Sequence, residues 1–385
     1  MKHLIVFILL FLTTHAFSQT DRFEAFNDQK KTISLNTGIT MRYIERGNLG
    51  GTALILLHGA TNTGRSFQML IDEIVSQNPN RRIIVPDLRG HGETSMPPRR
   101  HCAKAPETCF TPAEFASDVI SMMDKLDIPF ANIVGHSMGS VIAQEIALAY
   151  PDRVTSMALI GTFVQGNDVL RDDLASNLLE KTWRPILETE PDFSWPEDAY
   201  NLKVNDLGSD QTTWLRMHWV DELGAPKAFL DDIFLETSQT RLGTWIGTIK
   251  ALSNTDNRLK LQDLTVPTLV LWSSQDKYFT NDDQQLVMTA MANAARVTNT
   301  PMTYKTYGKK PLTAGTPQSD LGHNLHWAAP KQVAADIVSF FRTGSPLKSL
   351  PYLNPANPAE VLEAPDAAEI HTWGDLREQA SNTPR

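Results

Sequence analysis

Short apolar runs of strand length alternate along this chain with longer stretches of helical period. Residues 33–35 and 41–45 predict a hairpin around Asn36-Thr37-Gly38, a turn-forming trio between two β-rich segments. Residues 53–57, 82–85, 131–134, 154–160 and 268–272 are largely apolar runs, the pattern of parallel strands buried on both faces. Residues 302–307 read as the last strand, and 66–77, 112–126 and 330–342 carry helical patterns between and after the strands. This alternation implies an α/β fold with a doubly wound, mostly parallel sheet.

The alternation stops between residues 163 and 255. Stretches 169–183, 211–223 and 228–252 are amphipathic and helical, with no strand between them. Leu170, Leu174 and Leu178 stand at i, i+4 and i+8, one apolar stripe. Five of the eight tryptophans fall here (Trp183, Trp195, Trp214, Trp219 and Trp245). Most are expected to form the core of an inserted helical cap, and a minority to face a substrate pocket. After Gly344 six prolines and no sustained period mark a tail, either disordered or laid over the surface. The expected organisation is a core of residues 19–162 and 256–343, a cap at 163–255 and a Pro-rich tail at 344–385.

The first residues change the picture of where the chain works. Lys2 and His3 precede an apolar run at 4–12, and Ala16-Phe17-Ser18 places small residues before a cut at Gln19. This is the pattern of a secretory signal peptide at 1–18, too short for a spanning helix; an uncleaved anchor is the alternative. A secreted or periplasmic protein is therefore expected, with no stable membrane insertion once the signal is removed. In that compartment Cys102 and Cys109, the chain's two cysteines, are expected to form a disulfide rather than two free thiols. They and one nearby histidine do not complete a tetrahedral metal set. A net charge of -9 and no polybasic run argue against nucleic acid and anionic membranes as partners. No cofactor is expected.

The candidate chemistry centres on Gly135-His136-Ser137-Met138-Gly139, which follows an apolar run and precedes a helical one. Gly-x-Ser-x-Gly in that setting is a nucleophile elbow, a sharp strand-to-helix turn that lifts the hydroxyl above the sheet. Serine needs a base, and the base needs a third group to fix its tautomer. Asp276, in the loop leaving strand 268–272, is the acid candidate, with Asp168 after the preceding strand as its rival. Of ten histidines, His3 and His15 leave with the signal, and His371 lies in the tail. His218 sits in a tryptophan-rich cap helix and reads as packed. His58, His91 and His136 belong to glycine-flanked turns, His58 holding the shape of its loop. His323 in Gly322-His323 is the favoured base, while His326 could line the pocket or pack. The oxyanion-hole candidates are the backbone amides of Met138 and, in the loop after the first buried strand, Ala60.

Together Leu57-His58-Gly59, Asp87-Leu88-Arg89-Gly90-His91-Gly92, Gly135-His136-Ser137-Met138-Gly139, Asp276 and Gly322-His323 resemble the α/β-hydrolase fold superfamily. More narrowly they resemble its capped esterase, lipase, C–C-bond hydrolase and cofactor-free haloperoxidase group, over residues 32–342. The resemblance implies Ser137, Asp276 and His323 as nucleophile, acid and base, the Ala60 and Met138 amides as oxyanion hole, and 87–92 as a structural turn. Serine at 137 departs from the epoxide hydrolase and haloalkane dehalogenase branches, which use aspartate there. Ser273-Ser274 before the acid, the stretch 309–319 before His323, the segment 99–109 and the tail are further departures. The function expected is an exported serine hydrolase acting on an ester or related carbonyl of a small to medium apolar molecule. The alternatives are a C–C hydrolase, a proline-type aminopeptidase using cap acids such as Glu180, Glu188, Glu190, Asp192 and Glu197, or a non-catalytic binding module.

Overall fold

A computed structural model describes residues 19–222, 224–307 and 321–347, with 352–353, 361–362, 369–372 and 375. The expected signal segment 1–18 and the stretch 309–319 lie outside the described residues.

The strands are β1 (Lys31–Ser34), β2 (Thr40–Gly47), β3 (Thr52–Leu57), β4 (Arg81–Pro86), β5 (Ala131–His136), β6 (Val154–Ile160), β7 (Thr268–Ser273) and β8 (Met302–Tyr307), followed by three short ones, β9 (Tyr352–Leu353), β10 (Val361–Leu362) and β11 (Glu369–His371). The main sheet runs β1-β2-β4-β3-β5-β6-β7-β8-β11. Its centre, from β4 to β8, is parallel, in keeping with the largely apolar strand runs. Successive residues of β3 serve opposite cores: Ile55 and Leu57 pack with Phe115, Val119, Val141 and Ile146, whereas Leu54 and Leu56 pack with Ile71, Ile74, Val333 and Ile337. Each such side chain contributes roughly 1.5–3 kcal/mol by leaving water. Helices Pro112–Lys125 and Met138–Ala149 thus cover one face, and Gln68–Gln77 and Pro330–Thr343 the other.

The cap enters between β6 and β7. Leu170, Leu174 and Leu178 are buried on one side of the helix Val169–Trp183, whose wide turns carry i→i+5 bonds of the kind Arg184 N makes to Leu179 O. Trp183 and Trp245 form its core, their rings 5.0 Å apart. Two boundaries differ from expectation. The helical pattern at 211–223 ends at Trp219, after which the chain extends. The pattern at 228–252 splits into Lys227–Ser238 and Leu242–Ser253, where Leu242 N bonds to Leu202 O and Thr240 Oγ1 is shared between Glu236 O and Thr61 O. Here tertiary contacts override a continuous helical period.

The chain start latches cap to core. Arg65 lies over the rings of Phe23 and Phe26 (4.5 and 4.3 Å) and donates through Nε to Glu236 of the cap at 2.8 Å. Lys30 pairs with Asp87 at 2.8 Å beside it. At the opposite end, β11 pairs antiparallel with β8 (Ile370 opposite Lys305), so part of the tail extends the sheet. Residues 302–307 are therefore the last parallel strand but not the sheet's edge. Cys102 and Cys109 are joined as a disulfide.

Candidate active site

Strand β5 turns into the helix Met138–Ala149 through Ser137, whose φ of 51° and ψ of -119° lie in a region almost no side-chain-bearing residue adopts freely. Both flanking glycines are forced by crowding. A Cβ on Gly135 would stand 2.3 Å from Gly139 O, and one on Gly139 would stand 2.0 Å from Leu57 O. The strain is held by Ser137 N donating to Ile160 O at 2.9 Å and by Ser140 Oγ bonding to Ser137 O. The hydroxyl-bearing residue therefore lines a cavity instead of packing beneath it.

Asp276 and His323 meet across two loops. His323 Nδ1 lies 2.8 Å from Asp276 Oδ2, with both side chains buried. The other carboxylate oxygen, Oδ1, accepts from Tyr278 N (2.9 Å) and Phe279 N (3.1 Å), which fixes its rotation. Ser273 Oγ, at the end of β7, bonds to Leu321 O and ties the Asp276 loop to the His323 loop. After β6 the chain needs Gly161 at φ +54°, where a Cβ would sit 3.0 Å from the His323 ring. His323 and Ser137 line the same cavity. Asp168 lies elsewhere: its side chain is 85% exposed and paired with Arg171 at 2.9 Å.

Ala60 also lines the cavity, and Met138 begins the helix beyond the elbow. Neither amide has a hydrogen-bond acceptor among the described residues. The loop carrying Ala60 is rigidly held through Thr61, a β-branched residue at φ 63°. Thr61 N donates to His91 Nε2 (3.1 Å), its Oγ1 accepts from Trp219 Nε1 (2.8 Å), and its carbonyl accepts from Thr240. His58 acts similarly. Its Nε2 accepts from Leu88 N at 3.0 Å, which leaves the proton on Nδ1 to bond Gly59 O at 2.8 Å. His91 repeats the pattern, with Nδ1 on Arg89 O at 2.8 Å. Both rings must be neutral to do this, and burial pushes both down to about 3.

His136 and His326 are buried as well, their rings 4.4 Å apart, and burial holds both well below the usual histidine range. His326 does not line the cavity; it packs on Phe67, and neither ring nitrogen has a partner among the described residues. His218, expected to be packed, is exposed.

Acid sensitivity follows. The unfolded chain binds protons on these four rings near pH 6.5, whereas the folded chain resists them. For His58 and His91 this stabilising contribution is complete above about pH 6.5 and is lost as pH falls toward 3, about 1.4 kcal/mol per pH unit for a ring; His136 and His326 act in the same direction. Glu222 and Glu236, whose carboxyls burial pushes up, act in the opposite sense and make the net slope shallower. Urea unfolding at pH 7.5, 6 and 5 is expected to show little change at first and then a growing loss of stability below about pH 6.5. A flat response down to pH 4 contradicts the neutral-histidine arrangement.

The cavity opens to solvent, and its empty space, mouth included, is about 590 Å³. Phe163, Leu170, Leu174, Trp219, Ile249 and Phe279 form its apolar wall, and no Asp, Glu, Lys or Arg is among the described residues that line it. None of the five cap acids reaches it. Glu180 holds Lys250 (2.5 Å), Glu188 holds Arg184 (2.8 Å), Glu197 lies near Arg99, and Glu190 and Asp192 are exposed. Arg89 in the 87–92 turn spans Asp118 (2.7 Å) and Glu114 (2.7 Å), a buried brace for the loop holding His91. Sequence reasoning did not find the contacts of Trp219, Thr240 and Glu222 with the site loops, since nothing local marks those positions.

The profile of the α/β hydrolase fold family matches residues 52–304. Over 185 residues the chain is 32% identical to the dihydrolipoyllysine-residue acetyltransferase component of the acetoin cleaving system of Pseudomonas putida (48% of this chain, 46% of that protein). Over 136 residues it is 32% identical to an epoxide hydrolase of Caballeronia sordidicola (33% of this chain, 38% of that protein). The chain thus spans less than half the length of either relative. A hydrolase from Pseudomonas aeruginosa PA01 has a similar structure, with a TM-score of 0.60 over 81% of this chain and 98% of that one at 19% identity, a likeness of fold. With its sheet order, its elbow at Ser137 and the family profile spanning most of the sheet and cap, this chain belongs to the α/β-hydrolase fold family.

Proposed function

We propose that the protein is an exported serine hydrolase that cleaves an ester or related carbonyl of a small to medium apolar substrate through an acyl-enzyme. The observation that carries this is the 2.8 Å pair of His323 with Asp276, buried behind an uncharged cavity that Ser137 also lines. In this reading Ser137 Oγ attacks the carbonyl carbon and passes its proton to His323 Nε2, the nitrogen that Asp276 leaves available. The carbonyl oxygen, now negative, takes hydrogen bonds from the Ala60 and Met138 amides. Collapse expels the alcohol, which takes its proton from His323. Water, deprotonated by His323, then attacks the acyl carbon, and Ser137 leaves with that proton.

The lining argues for neutral substrates. An aminopeptidase needs a carboxylate to hold the amine, and the five cap acids lie away from the cavity or hold other partners. Serine at the elbow in place of an aspartate argues against an epoxide hydrolase. Export rests on the signal-like pattern at 1–18, and the Cys102–Cys109 disulfide is consistent with an oxidising compartment.

The test is a fluorophosphonate probe together with a chain-length panel of p-nitrophenyl esters and aminoacyl and dienone substrates. Stoichiometric labelling on Ser137, with turnover of neutral esters ahead of charged aminoacyl substrates, is the expected result. Absence of labelling on folded protein would instead mark a binding module.

A further inference from the structure

One short cap segment, residues 218–222, touches each loop of the site. Trp219 holds Thr61 beside Ala60, as described above. His218 O accepts from Lys277 Nζ (3.2 Å) and Tyr278 Oη (3.1 Å), next to Asp276, and Asp221 pairs with Lys277 at 2.7 Å. Glu222 accepts from Gly322 N through Oε1 (2.7 Å), and from Asn324 N (3.0 Å) and Nδ2 (3.2 Å) through Oε2. Those two residues flank His323.

The Glu222 contact is built rather than incidental. The residue is 7% exposed, and the hydrogen bonds of its carboxylate among the described residues run to Gly322 and Asn324. A Cβ on residue 322 would stand 2.7 Å from Glu222 Oε1, so the approach depends on Gly322. Burying a carboxylate with no cation beside it is costly unless amide donors satisfy it. Here both oxygens are satisfied, and by the backbone that aims the histidine. Asp276 fixes the His323 ring from the Nδ1 side, and His136 Nε2 lies 3.3 Å from the His323 carbonyl, but neither holds the amides on either side of it. Glu222 holds those flanking amides without lining the cavity.

We propose that residues 218–222 are a clasp by which the seated cap assembles the catalytic loops, and that Glu222 is a positioning residue for His323, acting through Gly322 and Asn324. The proposal rests on His323 being the base. The cap is then part of the catalytic assembly as well as a roof over the substrate.

Glu222→Gln tests this. The amide keeps the volume but turns an NH2 group toward at least one of the N–H donors. Fluorophosphonate labelling rate, kcat and KM for a neutral p-nitrophenyl ester, and Tm are measured on the full chain. The expected result is a fall in kcat and labelling rate of about 10²-fold, the effect of a small misplacement, with KM moving less than threefold. Gly322→Ala, which crowds Glu222 away while retaining its carboxylate, is expected to give the same split. It decides the question if the glutamine variant does not fold. Labelling and turnover within twofold of wild type in a folded variant overturn the clasp and leave the serine hydrolase reading intact. If wild type itself resists labelling, both fall.

Discussion

Ser137→Ala and His323→Ala are each expected to lower kcat by about 10⁶-fold, and the double variant is expected to be no slower than either. The reason is that the two side chains act as one unit: without a proton acceptor the hydroxyl is a poor nucleophile, and without the hydroxyl the imidazole has nothing to activate. Binding is largely retained, because the apolar wall of Phe163, Leu170 and Phe279 is untouched. Single-turnover release of p-nitrophenol, with circular dichroism to verify folding, checks both. His326→Ala is the informative control. His326 is fully buried, its ring nitrogens have no partner among the described residues, and it does not line the cavity. Its removal leaves a void that costs on the order of 2–5 kcal/mol of stability and little catalysis. A larger loss of kcat in His326→Ala than in His323→Ala would show that the wrong histidine has been assigned.

Asp276→Asn is expected to lower kcat by about 10⁴-fold with KM nearly unchanged. The direction follows from the hydrogen bonds on the far side of the carboxylate. Tyr278 N and Phe279 N both donate to Oδ1, so the oxygen of an asparagine is drawn there and its NH2 group faces His323. His323 Nδ1 must then accept, which moves the ring proton to Nε2, the nitrogen that should receive the proton of Ser137. Asp276 is 6% exposed and does not line the cavity, so substrate binding has no reason to change. Asp168→Asn, at an exposed ion pair worth little, is expected to leave kcat unaltered. The reverse ranking of the two variants would move the acid to the cap.

The sheet and the elbow were legible because each rests on local pattern. Residues 53–57 and 269–272 are apolar on both faces, and such runs fit best inside a covered parallel sheet. Gly135 and Gly139 announce themselves because no other residue fits where backbone oxygens stand 2.3 and 2.0 Å from a Cβ. The break at Thr240 and the early helix end at Trp219 were not legible. Both lie where side chains bond to Thr61, more than 150 positions away in the chain, and helical period carries no trace of such bonds. Glu222 is hidden for the same reason: as a string it is one acidic residue among many in the cap. His218 reads as packed because its neighbours are tryptophans, although its helix turns it outward.

The pairing of β11 with β8 has a consequence for anyone shortening this protein. A sheet that stops at β8 offers a row of bare amides and carbonyls, the kind of rim on which strands from other molecules settle. Residues 369–371 hem that rim from within the same chain. Trimming the Pro-rich end to tidy the molecule therefore swaps a loose thread for a sticky border, and self-association is what the missing hem would invite.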